Sequence, residues 1–307
     1  MTLMNQQSVI NCQPELVEGG QQLTTILVTG GHGQLASCIK CIEAKYDDLN
    51  FIYTDYHDLD ICDLNQVQSF FAANTIDYCV NCAAYTAVDK AEEEKELAFK
   101  VNAEGPKNLA MVCHENKVVL IHISTDFVFD GNKREPYTEE DKPNPISVYG
   151  SSKLQGEVEI QQFLKEYFII RTSWLYSEHG HNFMKTMLRL AEARDEISVV
   201  ADQVGTPTYA GDLAAVIIQI IRSKSQNYGL YHYSNEGAVS WYDFAKAIFV
   251  EINEGIRVSS IKTEDFPTFA KRPSFSVLAK FKIKEKMSIE IPYWKDSLIK
   301  VISKLYK

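Results

Sequence analysis

Long apolar runs are missing from the 307 residues: the longest candidates, Val118 to Ile123 and Ala214 to Ile221, fall far short of the roughly 20 residues that a membrane helix requires. Basic charge is also scarce. Thirty-one Lys and Arg stand against 41 Asp and Glu, scattered without a stripe that would neutralise nucleic-acid phosphates. The first 24 residues contain Glu15 and Glu18 and lack the basic start, apolar middle and small-residue cleavage site of a secretory signal. No internal repeat or low-complexity tract is visible. These absences argue against membrane, nucleic-acid and secreted roles, and point to a cytoplasmic protein without membrane or nucleic-acid partners. Residues 1–24 read as a poorly ordered appendage before the first strand.

Cysteine is present in odd number, seven, and several copies sit inside apolar runs where a thiol packs as a small hydrophobe. That usage fits a reducing compartment. Two Cys-x-x-Cys pairs, Cys38/Cys41 and Cys79/Cys82, together mimic a zinc pattern. The first pair falls on a helix after a glycine turn, and the second lies in a strand whose alternation sends its thiols to opposite faces, so the reading assigns no metal site.

What remains is an ordinary globular composition, 45% apolar and 23% charged. From Thr25 short β-branched runs alternate with helical stretches, the pattern of βαβ units. Ile26 to Thr29, Phe51 to Thr54, Tyr78 to Asn81, Val118 to Ile123 and Tyr167 to Arg171 read as strands. Gln34 to Lys45, Asn65 to Ala73, Ala91 to Glu115 and Tyr149 to Leu164 read as helices. The fold class is α/β, a doubly wound parallel sheet of Rossmann type over residues 25–173. Residues 174–307 form mainly a smaller, mixed substrate-binding region, with some segments returning to the cofactor domain. In such folds ligands bind beyond the carboxyl ends of the strands.

Thr29-Gly30-Gly31-His32-Gly33-Gln34-Leu35-Ala36 follows the first strand and opens a helix, with glycine where the backbone must turn tightly and approach a pyrophosphate. Asp55 ends the second strand, where a carboxylate accepts from ribose hydroxyls and argues for NAD. Asp63 and Leu64 are placed beside the adenine. Ala83, Ala84, Tyr85 and Thr86 follow the third strand, where a flat dinucleotide can lie against backbone.

Tyr149 and Lys153 stand four apart, hence on one helix face. An adjacent ammonium is expected to draw the phenol pKa down, so that Tyr149 exchanges a proton with a carbonyl oxygen. Thr125, at the end of an apolar strand, places a hydroxyl at the same edge.

The chain resembles the extended short-chain dehydrogenases and, among them, the dTDP-4-dehydrorhamnose reductase family. The motifs that carry this are Gly30 to Leu35, Asn81 to Glu92, Ser124 to Gly131, Val148 to Glu157, Arg171 to Tyr176, Asn182-Phe183, Lys185 to Leu188 and Asp202 to Thr208. The resemblance implies reduction of a 4-keto group on a dTDP-deoxyhexose by NADH or NADPH. It gives Thr125, Tyr149 and Lys153 catalytic roles, adds Gln34 and Leu35 to Gly30 and Gly33 at the cofactor, and gives Asp126, Trp174, Asn182 and Gln203 to the sugar nucleotide. Magnesium and a homodimer, known in some relatives, are not placed on particular residues. Ala36 replaces a third glycine and Phe127 a tyrosine of many relatives. An epimerase, a dehydratase and a non-catalytic regulatory relative are the alternatives; the acidic pair expected for elimination is missing after Thr125-Asp126.

Overall fold

The computed structural model describes residues 23–306, and the segment read as an appendage lies outside them except for Leu23 and Thr24. Thr24 already opens β1 (Thr24–Thr29), followed by α1 (Gln34–Ile42), β2 (Leu49–Thr54), α2 (Leu64–Ala73), β3 (Tyr78–Asn81), α3 (Gly105–Asn116), β4 (Val119–Thr125), α4 (Val148–Phe163) and β5 (Tyr167–Thr172). Later come α5 (Phe183–Ala191), α6 (Ala210–Ser223), β6 (Gly229–His232), α7 (Trp241–Glu251) and α8 (Trp294–Leu305). The six strands form one sheet in the order β6-β5-β4-β3-β1-β2, every neighbouring pair parallel.

Strand alternation builds the two helix layers. Ile26 and Val28 of β1 point to the side covered by α1 and α6, while Leu27 points to the side covered by α2, α3 and α4. Each such side chain, fully buried, contributes about 1.5–3 kcal/mol. The order reverses between β1 and β3, so their carboxyl ends splay apart into the crevice where doubly wound sheets bind ligands.

The expected helix Ala91 to Glu115 is broken. Short helices at Val88–Ala91 and Lys95–Phe99 lead through a wide turn at Lys100–Glu104 into α3. Pro106 lacks an amide hydrogen, and the wider turn before it absorbs the missing bond. Beyond β5 a third core gathers around Tyr176, Phe244 and Trp294. There the strand Glu196–Val200 pairs in parallel with Arg257–Ile261. Among the described residues no helix is long and apolar enough to cross a membrane.

Candidate active site

At the crevice, β1 ends in Thr29 and the chain turns through Gly30 with φ +65°; a Cβ there would lie 2.8 Å from the amide nitrogen of Ala83. Only glycine lets the two loops meet so closely. The Gly33 amide donates to Gly30 O at 2.9 Å, and Gly33 then caps α1 with no side-chain acceptor. The first amides of α1 are thereby left to an outside anion, helped by the positive end of the helix. Gln34 and Leu35 offer only backbone: the Leu35 side chain lies in the core, and Gln34 Oε1 accepts from Asn182 Nδ2 at 2.8 Å and Ser177 Oγ at 3.2 Å.

A cavity of about 270 Å³ opens beside this turn, walled by Gly30, Gly33, Asp55, Ile61, Ala83 and Ala84 among others. Asp55 accepts from the Tyr56 amide at 2.7 Å and meets the His32 imidazole. The amide bond first, and the histidine after it, hold its carboxyl below the usual range against the effect of burial. His32 is a partner that sequence spacing did not reveal.

Asp63 and Leu64, expected to flank the adenine, do not line this cavity and stand at the start of α2. Asp63 caps α2, accepting from Asn65 N at 3.0 Å and Gln66 N at 3.2 Å, and Leu64 packs on the core; Ile61 and Cys62 stand on the wall instead. Tyr85 and Thr86 are also off this wall. Tyr85 donates its phenol to Glu94 at 2.5 Å and its amide to Asn102 Oδ1 at 2.8 Å, and Thr86 is exposed. Asn102 also donates to Ser152 Oγ at 3.0 Å, which ties the loop after β3 to α4.

The chemical groups converge at the end of β4. Ser147 caps α4 by accepting from Gly150 N at 3.1 Å, while Glu92 accepts from Val148 N at 2.8 Å. These contacts set Tyr149 in the first turn, with the edge of the Phe127 ring against it, ring centroids 5.5 Å apart. Burial pushes the Tyr149 phenol up to about 12, opposed by the neighbouring Thr125 hydroxyl. The expected downward pull from Lys153 is absent. That ammonium instead donates to Ile123 O at 2.7 Å and lies 3.2 Å from His122 Nε2. Burial lowers Lys153 to about 8, against the favourable charge of Glu157. Beside them Asp126, 2% exposed, receives the Thr125 hydroxyl at 3.1 Å on one oxygen and has no partner on the other. Burial raises its carboxyl to about 6, hydrogen bonds opposing.

A second cavity, about 590 Å³, lies in the C-terminal half, with Leu190, Gln203, Trp241 and Phe266 on its walls and Arg189, Arg194 and Arg272 supplying positive charge. Of the sequence-predicted residues Gln203 is on this wall, donating to Thr263 at 3.1 Å. Trp174 stacks flat on Trp241, ring centroids 3.5 Å apart, so the wall tryptophan is one that motif reading missed. Asn182, expected at the sugar nucleotide, caps α5 through Lys185 N at 3.0 Å and donates its amide to Gln34 and to Ser177 O. Arg272 grips Asp89 at 2.8 and 3.2 Å. Asp89 lies on the short helix just before Glu92, so the cavity is linked to the start of α4.

Magnesium takes oxygen donors. Among the described residues the close set of three ligand-bearing side chains is Cys38, Glu178 and His179, whose thiol and imidazole do not suit that ion. No step is routed through magnesium.

A glycine turn at the switch point of a doubly wound sheet, facing a Tyr-Lys helix and a strand-end threonine, defines a nucleotide-dependent oxidoreductase of the short-chain dehydrogenase type. The chain belongs to the family described as RmlD substrate binding domain, whose profile matches residues 24–307. It is similar to the dTDP-4-dehydrorhamnose reductase of Aggregatibacter actinomycetemcomitans, 41% identical over 286 residues that cover 90% of this chain and 97% of the relative. A solved dTDP-4-dehydrorhamnose reductase from Clostridium acetobutylicum superposes with TM-score 0.89 at 44% identity, covering 92% of this chain and 100% of the other. Another from Bacillus anthracis, solved in complex with NADP, gives TM-score 0.89 at 39% identity with the same coverage.

Proposed function

We propose that this chain reduces the 4-keto group of dTDP-4-dehydro-L-rhamnose to give dTDP-L-rhamnose, with NADH or NADPH as reductant and Tyr149 as proton donor. The observation that carries the reading is the buried Tyr149 phenol beside Thr125 at the end of β4, in a chain whose relatives of that name align over nearly its whole length. The cradle fits a dinucleotide: Gly30 admits the backbone contact that a side chain would fill, the uncapped start of α1 receives the pyrophosphate, and Asp55 receives the ribose hydroxyls. The cofactor, when bound, supplies the hydride.

The protein's own part is to orient the sugar and deliver a proton. A phenol raised to about 12 stays protonated at neutral pH, which is the form a reduction needs. Thr125 donates its hydroxyl to the same carbonyl oxygen and fixes its distance from Tyr149. As negative charge develops on that oxygen, the phenol proton passes to it, and Lys153, which would hold the nicotinamide ribose, would steady the phenolate left behind. The unpartnered oxygen of Asp126 receives a sugar hydroxyl. In the second cavity the guanidinium groups of Arg189, Arg194 and Arg272 suit a diphosphate, and Trp241, with Trp174 stacked behind it, suits the thymine ring. Glu157, bonded to Arg171 Nε at 2.9 Å and to the Ser124 hydroxyl, anchors the helix that carries the Tyr-Lys pair.

The relative solved with NADP bears on cofactor choice. His32 stands against Asp55, beside the carboxylate that a 2′-phosphate would meet. A cytoplasmic location and a homodimer accompany the proposal, open to fractionation and sedimentation. The deciding experiment incubates the purified protein with dTDP-4-dehydro-L-rhamnose and each reduced cofactor. Loss of nicotinamide absorbance matched by formation of dTDP-L-rhamnose is expected. An unchanged substrate, or epimerisation without cofactor oxidation, overturns the reading.

A further inference from the structure

Four soft or anionic donors, none used above, meet where the loop after β5 crosses α1. Cys38 and Cys41 lie on one face of α1, one helical turn apart. Glu178 and His179 come from the loop. Cys38 Sγ, a Glu178 carboxylate oxygen and a His179 ring nitrogen all lie within 4.8 Å of one another, and Cys41 Sγ is 3.4 Å from His179 Nε2. Two ligands of a tetrahedral zinc stand roughly 3.5 Å apart, so the Cys41–His179 pair already has ligand spacing, while Cys38, Glu178 and His179 form the close set that Cys41 joins through His179.

The surroundings show that the set is built. Cys38 is 2% exposed, whereas Cys41 faces solvent, which gives an entry path. Glu178 Oε1 is held by Lys304 Nζ at 2.9 Å and Tyr209 OH at 3.2 Å, yet its Oε2 is buried with no partner. A buried carboxylate oxygen without a donor is costly unless a cation or hydrogen meets it. The single ammonium of Lys304 faces the opposite oxygen.

We propose that Cys38, Cys41, His179 and Glu178 form a structural site for a thiophilic divalent cation of the zinc class, clipping the 177–182 loop to the first helix of the cofactor half. Two thiolates, one imidazole and one carboxylate complete a closed tetrahedral set, with no position left for a reacting water. On binding, each ligating thiol gives its proton to solvent and the sulfur lone pair to the cation, with no change of oxidation state. The clip runs parallel to the bonds that Asn182 and Ser177 already make to Gln34.

The test uses the full-length, tag-free, reduced protein and Co2+ alone as probe, followed by Zn2+. One Co2+ per chain is expected, with sulfur-to-cobalt charge-transfer absorption and the intense visible bands of tetrahedral coordination, both removed by Zn2+. His179→Ala and Cys38→Ala should weaken binding by more than the roughly 10- to 100-fold that loss of an outer-shell partner costs. Cys12→Ser and Cys62→Ser should leave the spectrum unchanged. Circular dichroism checks that Cys38→Ala folds; His179, partly exposed on its loop, keeps the test decisive if it does not. Weak octahedral bands without charge transfer, or a thiolate spectrum that survives His179→Ala, would overturn the proposal.

Discussion

Lys153 Nζ lies 3.2 Å from His122 Nε2 in the buried floor of the site, while the other ring nitrogen of His122 is 3.0 Å from Asn81 Nδ2. Burial, followed by the charge of Lys153, holds His122 well below its ordinary range, so the ring is neutral at neutral pH. The lysine is thus parked on a neutral imidazole and a carbonyl oxygen in the ligand-free protein, and the tyrosine keeps its proton.

This arrangement bears on pH. In the free protein the Lys153 amine is lowered to about 8, mainly by burial. Because kcat/KM follows ionisations of the free protein, reductase activity should fall on the alkaline side through about pH 8 as the ammonium is lost. Lys153→Met should lower activity throughout and remove that limb. A limb that persists in Lys153→Met assigns it to another group.

Tyr149→Phe removes the proposed proton donor without touching the crevice. Turnover should drop by about 10²- to 10⁴-fold while cofactor affinity, read by fluorescence titration, stays near wild type. Activity above half of wild type would end the tyrosine's role.

Asp126 links function to stability. Its carboxyl rises from 3.8 to about 6, so between those values the folded state binds more protons than the unfolded one and stability falls as pH rises; the full penalty, roughly 3 kcal/mol, stands at neutral pH. Asp126→Asn should therefore melt higher than wild type at neutral pH, with the gain fading as pH drops from about 6 toward 3.8, and turnover should fall. Equal melting temperatures at neutral pH would show that the carboxyl is not strained by burial.

Asp55→Ala removes the acceptor expected for the ribose hydroxyls together with its charge. NADH should bind more weakly while NADPH is spared or improved. An equal loss for both in parallel titrations would reduce Asp55 to its contacts with Tyr56 and His32.

Trp241→Ala removes the ring stacked against Trp174 on the cavity wall. Base stacking on an aromatic side chain is worth about 1–3 kcal/mol, so KM for the sugar nucleotide should rise roughly 10- to 100-fold with a smaller change in kcat. A fall confined to kcat would move the nucleotide away from this cavity.

The sheet and the Tyr149 helix were legible because they are local. β-branched runs bounded by turn residues gave five of the six strands, and the glycine turn with the Tyr-Lys spacing placed the crevice. β6 escaped because Gly229–His232 is short and finds its place only by pairing with β5. The break inside Ala91 to Glu115 was hidden by apolar spacing that runs on through it, although Gly105-Pro106 was a visible signal. Asp63 and Asn182 each stand one residue before a helix, where a short polar side chain serves as cap, a role that the motif spacing does not display. Arg189, Arg194 and Arg272 carry no motif; they converge only once the C-terminal half has folded. The Lys153–Tyr149 expectation failed for a different reason: spacing puts both on one face, but the ammonium finds a nearer acceptor beneath it.

Gly156 sits on the catalytic helix two turns beyond Tyr149, and a Cβ there would lie 2.1 Å from the carbonyl oxygen of Asn102. The wide turn at Lys100–Glu104 and α4 therefore touch backbone to backbone, with Asn102 fastening the loop after β3 on the other side. One added methyl group at position 156 would lever the helix away from that turn, and the phenol and the dinucleotide cradle would lose their common alignment. The aim of the Tyr149 phenol is in this sense machined by an empty space seven residues away, a tolerance that can be widened by substitution but never tightened.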